Sequence, residues 1–473
     1  MAEKLAPLQL AELPARQTPF WKMTGPGAVL VGLSIGGGEL VVWPLLTAEF
    51  GASMVWAAAL GIFIQLWVNF EIGRWTIATG ESLYTGYSRI WRGFAHCFIF
   101  FNVAGWILPA WARTSGSALK ALVVGYEHNS PDWFWTSITF AGVALVIFGP
   151  KKVYTAVERT IGILVVTVIA GLLVIAFKVG TRESVLDMVS GLGNVGYIHP
   201  DCSVKTFFIA LVFAGAGGTA NLFYAFYLRD KQIGMGGRIP VLVNPFRNRQ
   251  ESRAQTGYIF PDDETNLRRF RDWFRFVLVD QTLYFWLLNT FTILLFIFGA
   301  LAVLHPQGII PQSGRLVWDE ATILADTMGP FGRTLFLIIG LATLFSTQLA
   351  LTDGVARSLA DIFCTSFEFG KKRSNAGWYA GCVVAIILIG IALTAIMEAF
   401  NITELGFLFN AAYVGGFAMA VFVPLTLWLN LKYLPKGARP NALHIVMMVF
   451  ASVIYLGFAL YCLYYEVYRF FTG

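Results

Sequence analysis

The sequence has few charged side chains for its length. Asp, Glu, Lys and Arg make up 13% of the 473 residues, whereas hydrophobic residues make up 57%. In ordinary soluble domains about a quarter of the residues are charged, so the composition excludes a soluble globular chain of this size. The apolar segments are continuous over about 20 residues, as in membrane helices, and do not alternate as β-barrel strands do. We therefore predict an all-α integral membrane protein.

Histidine and cysteine are scarce too, and their positions argue against metal or redox chemistry. The five cysteines include no CxxC pair, and the five histidines are scattered at the ends of apolar segments or in loops. An enzyme would need clustered histidines, paired carboxylates or a nucleophile beside a base, and the sequence shows none of these. We therefore expect no enzyme activity and no cofactor. We also expect no nucleic-acid partner, because basic cytosolic loops account for the net charge of +6.

About eleven apolar segments are long enough to cross a bilayer, and we number them as spans 1 to 11. They lie at about residues 27–49, 53–72, 94–118, 133–149, 154–177, 206–228, 277–303, 333–356, 376–398, 405–431 and 442–467. Lys and Arg number 26 on the N-terminal side of these spans and 7 on the opposite side. This excess predicts a cytoplasmic N-terminus and an external C-terminus. We expect a multi-pass protein of a bacterial inner membrane.

Three glycines and an acid interrupt span 1. Gly36, Gly37 and Gly38 lie within the apolar stretch 28–46 and are followed by Glu39. Each glycine costs roughly 1 kcal/mol relative to alanine inside a helix, so the segment predicts a broken helix. The freed backbone groups are tolerated at membrane depth only beside protein or a watery cavity. A carboxylate at that depth is costly, and it marks a functional site by default.

Small residues interrupt span 6 in a similar way. Ala216, Gly217 and Gly218 lie within its apolar stretch, and Asn221 follows them. Interrupted helices at matching positions in two halves of a chain indicate a secondary transporter built from inverted repeats. The two interruptions are five spans apart, and this odd number inverts the second repeat relative to the first.

This symmetry predicts the domain organisation. The first repeat covers 25–178 with spans 1 to 5, and the second covers 206–431 with spans 6 to 10. The second repeat includes a long cytosolic loop at 229–275. Residues 1–24 are predicted to form a cytosolic tail, and 442–473 to form span 11 and a short external tail.

Short motifs along spans 1 to 8 resemble those of the Nramp family of divalent-metal transporters. The matching residues are Gly25-Pro26-Gly27 in span 1, the Thr-Ile-Ala-Thr-Gly of 76–80, Gly116-Ser117-Ala118 in span 3, Asn221-Leu222 in span 6, Asn289 in span 7 and Gln348 in span 8. The resemblance implies a LeuT/APC-type fold of two five-helix inverted repeats with broken helices 1 and 6. It also implies transport of a divalent metal ion by alternating access.

Most of the family's functional side chains are absent at the matching positions. The metal-binding Asp and Asn of span 1 fall on Gly36 and Glu39, the Met and His of span 6 on Gly218 and Ala220, and the proton-carrying carboxylates of span 3 on Ala110 and Arg113. The resemblance therefore implies a site without a thioether ligand, with more room than usual, and without the usual proton route.

The predicted substrate site comprises Gly36, Gly37, Gly38, Glu39, Ala216, Gly217, Gly218 and Asn221, with Arg113, Asn289 and Gln348 as supporting or gating residues. Glu39 and backbone carbonyls are hard oxygen ligands, which suit partly hydrated Mg²⁺, Mn²⁺ or Ca²⁺. We expect only this ion or solute and the lipid bilayer as partners. The sequence does not fix the oligomeric state, and a monomer is compatible with it.

The role of Arg113 is open between three alternatives. It pairs with Glu39, or it faces the aqueous entrance and replaces a driving ion, or it joins the half-helix N-termini in a site for a small anion, carboxylate or amino acid. Two other pairs of charged residues have simple structural interpretations. Glu71 with Arg74, and Asp353 with Arg357, have the spacing of ion pairs on one helix.

Overall fold

The structure, a computed structural model, describes residues 5–244 and 256–472 and is helical at every predicted span. The helices of the first five spans are Pro26–Ser34, the π-helix Ile35–Val42 and Trp43–Phe50 for span 1, Val55–Thr79 for span 2, Gly93–Trp106 and Ala110–Val123 for span 3, Asp132–Phe148 for span 4, and Val153–Val179 for span 5.

The second half of the chain repeats this pattern of long and interrupted helices. Its helices are Val204–Val212, the 3₁₀-helix Gly218–Phe223 and Tyr224–Asp230 for span 6, Glu264–Asp280, the π-helix Gln281–Leu288, Asn289–Gly299 and the π-helix Ala300–Leu304 for span 7, Thr322–Ser366 for span 8, Asn375–Ala399 for span 9, Glu404–Tyr433 for span 10, and Ala442–Thr472 for span 11.

Short helices connect the spans. They are the α-helices Phe20–Met23, Leu83–Ile90, Arg182–Gly193, His305–Gln307 and Leu316–Glu320, and the 3₁₀-helices Gly51–Met54, Gly234–Arg238, Phe369–Lys372 and Lys436–Ala438.

Within residues 5–244 and 256–472, eight helical runs are long and apolar enough to cross a membrane. One of them, 26–79, contains both span 1 and span 2, which Gly51 separates with a φ of 63°. Span 4 is a shorter apolar helix of 17 residues, and span 6 is divided into short pieces. The eight runs are therefore compatible with the predicted eleven spans.

The N-terminal tail and the long loop after span 6 lie on the same face of the helix bundle. Gln9–Leu10 and Tyr258–Ile259 form a small parallel sheet. The Arg89 guanidinium, at the end of the short helix after span 2, donates a hydrogen bond to the carbonyl oxygen of Ala6. We call this side of the molecule the N-terminal face. The tail and this loop are the two segments that the sequence predicts to lie on the same, cytosolic side of the membrane.

Both predicted ion pairs are confirmed near this face. Arg74 Nε lies 2.9 Å from a Glu71 carboxylate oxygen, and Arg357 Nε lies 2.8 Å from Asp353. Each pair is part of a larger polar cluster. The second carboxylate oxygen of Glu71 accepts a hydrogen bond from Asn430 of span 10 at 2.8 Å. The pairs thus connect spans that are far apart in sequence, and their role is structural.

The bundle has a buried centre and an apolar perimeter. Span 1 is buried along most of its length, from Pro26 to Ala48. Spans 5, 9 and 11, in contrast, carry large exposed apolar side chains such as Phe177, Leu388 and Val453, which are 87%, 63% and 65% exposed. Exposed apolar surface on this scale indicates the lipid-facing side of a membrane protein. The interrupted helices therefore lie inside the bundle, away from lipid.

Candidate transport site

Span 1 is interrupted at the predicted glycines, but by a π-helix and not by extended backbone. The segment Ile35–Val42 continues directly into Trp43–Phe50. A π-helical turn keeps its backbone groups hydrogen-bonded within the helix while widening it locally, and such turns occur frequently at functional sites. The expectation that the glycines expose backbone groups is therefore wrong for span 1.

The glycines allow close approach of neighbouring spans. A Cβ atom on Gly36 would lie 2.2 Å from Oγ1 of Thr347 in span 8, and one on Gly38 would lie 1.4 Å from the carbonyl oxygen of Phe213 in span 6. Real Cβ contacts are not this short, so each position requires glycine. The Gly36 amide donates to Thr347 Oγ1 at 3.1 Å, and the Thr347 hydroxyl donates to the Leu33 carbonyl at 2.8 Å.

Span 6, in contrast, is broken in the predicted way. The first helix ends at Val212, and the next helical segment begins at Gly218. Gly217 and Gly218 have φ values of 70° and 52°, a region that side-chain-bearing residues rarely adopt. These glycines therefore let the chain change direction inside the bundle, and they leave backbone groups that need partners.

One side chain of span 2 supplies those partners. Gln65 Nε2 donates to the carbonyl oxygen of Val212 at 2.9 Å. Gln65 Oε1 accepts from the amide of Gly217 at 3.2 Å and from Nδ2 of Asn221 at 3.1 Å. Gln65 is fully buried, so water does not compete for these bonds. A single amide thus bridges both sides of the break in span 6.

The two interruptions face each other across a small cavity. The residues lining it are buried: Leu33, Ser34, Gly37, Gly38, Trp106, Trp111, Phe213, Gly215, Ala216, Thr347 and Leu351. We call it the central cavity. Its lining contains no charged side chain and offers the hydroxyl oxygens of Ser34 and Thr347.

Three aromatic rings form one wall of the central cavity. The centroid of Trp106 lies 5.4 Å from that of Trp111 and 6.3 Å from that of Phe213, and the last two are 5.9 Å apart. Trp106 is held in place because its indole N–H donates to Thr219 Oγ1 at 2.7 Å.

Comparison with known proteins agrees with this arrangement. No family model matches the sequence. An uncharacterized protein of Pasteurella multocida is 21% identical over 445 residues, which are 91% of this chain and 89% of that protein. A mutant of the manganese transporter of Eremococcus coleocola superposes with a TM-score of 0.69 at 13% identity, over 99% of this chain and 91% of that one. The same transporter in complex with an aromatic bis-isothiourea substituted compound gives 0.65 at 14% identity, over 95% and 89%.

The chain has an Nramp-related fold. This confirms the Nramp-related fold predicted from the motifs. The division into repeats at spans 1 to 5 and spans 6 to 10 stays a prediction. Within the Nramp-related fold, interruptions of spans 1 and 6 meet at the centre of the bundle, as the geometry above shows.

Only some of the predicted site residues line the central cavity. Gly37, Gly38 and Ala216 do so, whereas Gly36 contacts the lining residue Thr347. Gly217 and Asn221 are bound to Gln65 instead. Gly218 approaches the backbone of Gly415 in span 10, because a Cβ atom on it would lie 2.7 Å from the Gly415 Cα.

The expectation of extra room at Gly218 is wrong. The same hypothetical Cβ atom would also lie 3.3 Å from the ring of Trp106. Span 10 and an aromatic side chain of span 3 therefore occupy the space that a larger span 6 side chain would fill. Glycine at this position therefore allows close approach of spans 6 and 10 and does not enlarge the site.

Glu39 lies outside the central cavity, between spans 1 and 7. Its side chain is fully buried, and neither carboxylate oxygen has a hydrogen-bond partner among the described residues. Thr292 of span 7 lies beside it. The structure thus separates Glu39 from Gly37 and Gly38, although the sequence grouped the three together.

Arg113 does not pair with Glu39. Its guanidinium donates to the carbonyl oxygen of Ile402 and lies 3.4 Å from Asp132 and 3.8 Å from Glu404. These partners lie at the starts of spans 4 and 10, on the face opposite the N-terminal tail. Of the three alternatives for Arg113, pairing with Glu39 is wrong, because the guanidinium lies at this face beside the carboxylates of Asp132 and Glu404. The structure likewise does not place Arg113 in an anion site at the central cavity.

The two remaining candidates lie next to the central cavity. Asn289 of span 7 accepts a hydrogen bond from the Ser34 hydroxyl at 2.6 Å. Gln348 of span 8 donates to Thr139 at 3.2 Å and lines a neighbouring cavity, which shares Trp106 and Trp111 with the central one. Both positions fit supporting roles.

The sequence interpretation missed Gln65, Ser34, Thr347 and the aromatic wall. A lone glutamine between Ile64 and Leu66 does carry a signal, because a buried amide must find partners. The sequence gives no indication, however, that those partners lie in span 6. Tryptophans give no such signal either, because they are generally enriched at membrane interfaces and not at transport sites.

We expect Gly38→Ala to destabilise the protein, because its methyl group would overlap the Phe213 carbonyl. Overpacking of this kind costs about 1–3 kcal/mol, and thermal unfolding of the detergent-purified protein should show a lower Tm. The matched control is Gly162→Ala in span 5, where a Cβ atom meets nothing within 4 Å. An unchanged Tm for Gly38→Ala would contradict the close packing of spans 1 and 6.

Gln65→Leu should destabilise the protein more than Gln348→Leu. The first change leaves the Val212 carbonyl, the Gly217 amide and Asn221 without their partner, and each unsatisfied buried group costs about 1–3 kcal/mol. The second change removes only the hydrogen bond to Thr139. Thermal unfolding of both variants measures the difference, and equal losses would show that Gln65 does not hold the break.

Proposed function

We propose that the protein is a secondary transporter that moves its cargo by alternating access through the central cavity. The observation that supports this proposal is the meeting of two interrupted helices across one buried, partly polar cavity. Sites of this kind, at the interface of inverted repeats, are where secondary transporters bind their substrates. Likeness in fold to a manganese transporter supports the same conclusion.

A cation suits this site better than an anion. No positively charged side chain lines the central cavity, and Arg113 is engaged by Asp132 and Glu404. Glu39, directly after the lining residue Gly38, adds a buried carboxylate with no basic partner. Such a charge in a medium of low dielectric raises the local concentration of cations. A small anion, carboxylate or amino acid, the alternative from the sequence, lacks a basic partner in this lining.

Among cations, we propose a divalent metal ion that keeps part of its water. The lining offers the hydroxyl oxygens of Ser34 and Thr347, which are hard ligands suited to Mg²⁺, Mn²⁺ or Ca²⁺. Across residues 5–244 and 256–472 no group of three or more His, Cys, Asp or Glu could hold a metal ion. An ion here would therefore lack a complete cage of protein ligands, and retained water would complete its coordination.

A small organic cation is the second candidate cargo. The wall of Trp106, Trp111 and Phe213 favours it, because aromatic faces attract ammonium groups within about 6 Å of the ring centroid. Such a cargo would need less coordination by carboxylates than a metal ion does.

We further propose that transport proceeds without a proton route along span 3. Ala110 has no ionisable group, and the Arg113 guanidinium is engaged by Asp132 and Glu404. The excess of basic residues on the N-terminal face supports a cytoplasmic orientation of that face, and we propose a bacterial inner membrane as the location.

Uptake into proteoliposomes tests the proposal. We expect the protein to accelerate entry of Mn²⁺, Mg²⁺ or Ca²⁺, or of choline, above protein-free liposomes, and a pH-sensitive dye inside should report no acidification. Thr347→Val should lower the uptake about tenfold, since it removes a lining hydroxyl and the partner of the Gly36 amide, worth about 1.5 kcal/mol.

The matched control is Thr167→Val, which removes an exposed hydroxyl that bonds only its own helix, to Ile163. Its uptake should equal that of the wild type. If neither a divalent ion nor choline moves, the cation proposal is wrong. Acidification driven by the metal ion would contradict the absence of a proton route.

A further inference from the structure

Glu39 occupies an unusual environment for a carboxylate. The side chain is 0% exposed, both of its oxygens lack hydrogen-bond partners among the described residues, and span 7 packs against it. Burying an ionised carboxylate without compensation is very costly. The group must therefore acquire a positive charge from a ligand or lose its own negative charge.

Side chains with neutral oxygen atoms lie on the segments of spans 1 and 7 that carry and contact Glu39. The Ser34 hydroxyl donates to Asn289 Oδ1 at 2.6 Å. Thr292 lies beside Glu39, but its hydroxyl donates to the carbonyl oxygens of Leu288 and Asn289, both at 3.1 Å. Because those protons are directed elsewhere, Ser34 and Thr292 have oxygen lone pairs left for a ligand.

The helix geometry places these side chains on facing surfaces. Ser34 and Glu39 are five residues apart, which is the hydrogen-bond spacing of the π-helix that contains Glu39. Asn289 and Thr292 are three residues apart on span 7 and lie on one side of it. The π-helix in span 1 thus aligns a hydroxyl and a carboxylate opposite an amide and a hydroxyl.

We propose that Glu39, Ser34, Asn289 and Thr292 bind a monovalent cation, Na⁺, at a site separate from the cargo. One anionic and three neutral oxygen ligands balance a single positive charge, whereas a divalent ion would leave a net charge in an apolar environment. Of the four residues only Ser34 also lines the central cavity.

This position gives the ion a role in transport, and that role alone rests on the proposed function. Na⁺ at the buried Glu39 and a cation in the central cavity, which the adjacent residue Gly38 lines, repel each other. Binding of Na⁺ and of the cargo is therefore antagonistic. Release of Na⁺ on one side of the membrane favours binding of the cargo from that side, so the two ions are exchanged.

Binding of ²²Na⁺ to the purified protein tests the site without any transport. We expect saturable binding that excess unlabelled Na⁺ removes and K⁺ removes less well. Glu39→Gln should abolish this binding, and Thr292→Val should weaken it about tenfold. Glu320→Gln is the matched control, because Glu320 is also fully buried with both oxygens unpartnered, and it should bind Na⁺ like the wild type.

Three results would overturn the proposal: no Na⁺ binding by folded wild-type protein, equal binding by Glu39→Gln, or a Tm that responds to pH but not to Na⁺. If Glu39→Gln does not fold, the Thr292→Val affinity decides. Na⁺ binding without cargo uptake would support the Na⁺ site and contradict the proposed transport function. Cargo uptake without Na⁺ binding would support the transport function and contradict the Na⁺ site.

Discussion

Backbone polar groups at membrane depth must find partners, and the structure around span 6 depends on how this requirement is met. Between Val212 and Gly218 the chain leaves the helix, where no lipid or bulk water can satisfy its amides and carbonyls. Gln65 of span 2 does so from one position, with hydrogen bonds to the Val212 carbonyl and the Gly217 amide and a third to the Asn221 side chain. Because the break is held open in this way, a cavity can exist beside it. Without the donor and acceptor of the Gln65 amide, a continuous helix would have the lower free energy.

Span 1 meets the same requirement differently, and the difference determines the chemistry of the centre. Its π-helix retains internal hydrogen bonds, so the glycines serve close packing against spans 6 and 8 instead of exposing carbonyls. The extra residue in the turn also rotates Glu39 towards span 7. The charged side chains are thereby kept apart. Glu39 lies buried beside the cavity, whereas Arg113 lies at the face opposite the N-terminal tail, where Asp132 and Glu404 compensate its charge.

The sequence was informative wherever a property depends on neighbours along the chain. Hydropathy predicted the spans, glycine clusters predicted where spans 1 and 6 are interrupted, and residue spacing predicted the pair of Glu71 and Arg74. It was uninformative where partners come from distant spans. The target of Arg113, the bridge made by Gln65 and the approach of Gly218 to Gly415 depend on three-dimensional packing. The sequence also could not predict the form of the interruption in span 1, because three consecutive glycines are compatible with either a break in the helix or a π-helix.

The central claim is that the cavity between spans 1 and 6 is the path of the cargo, and Ala216 offers a direct measurement. A cysteine placed there, in a protein whose five native cysteines are replaced by alanine, can be exposed to a membrane-impermeant thiol reagent from either side of sealed vesicles. The account predicts reaction from both faces, on alternation between conformations, and protection by bound cargo. Reaction from one face only, in a protein that still transports, would contradict it.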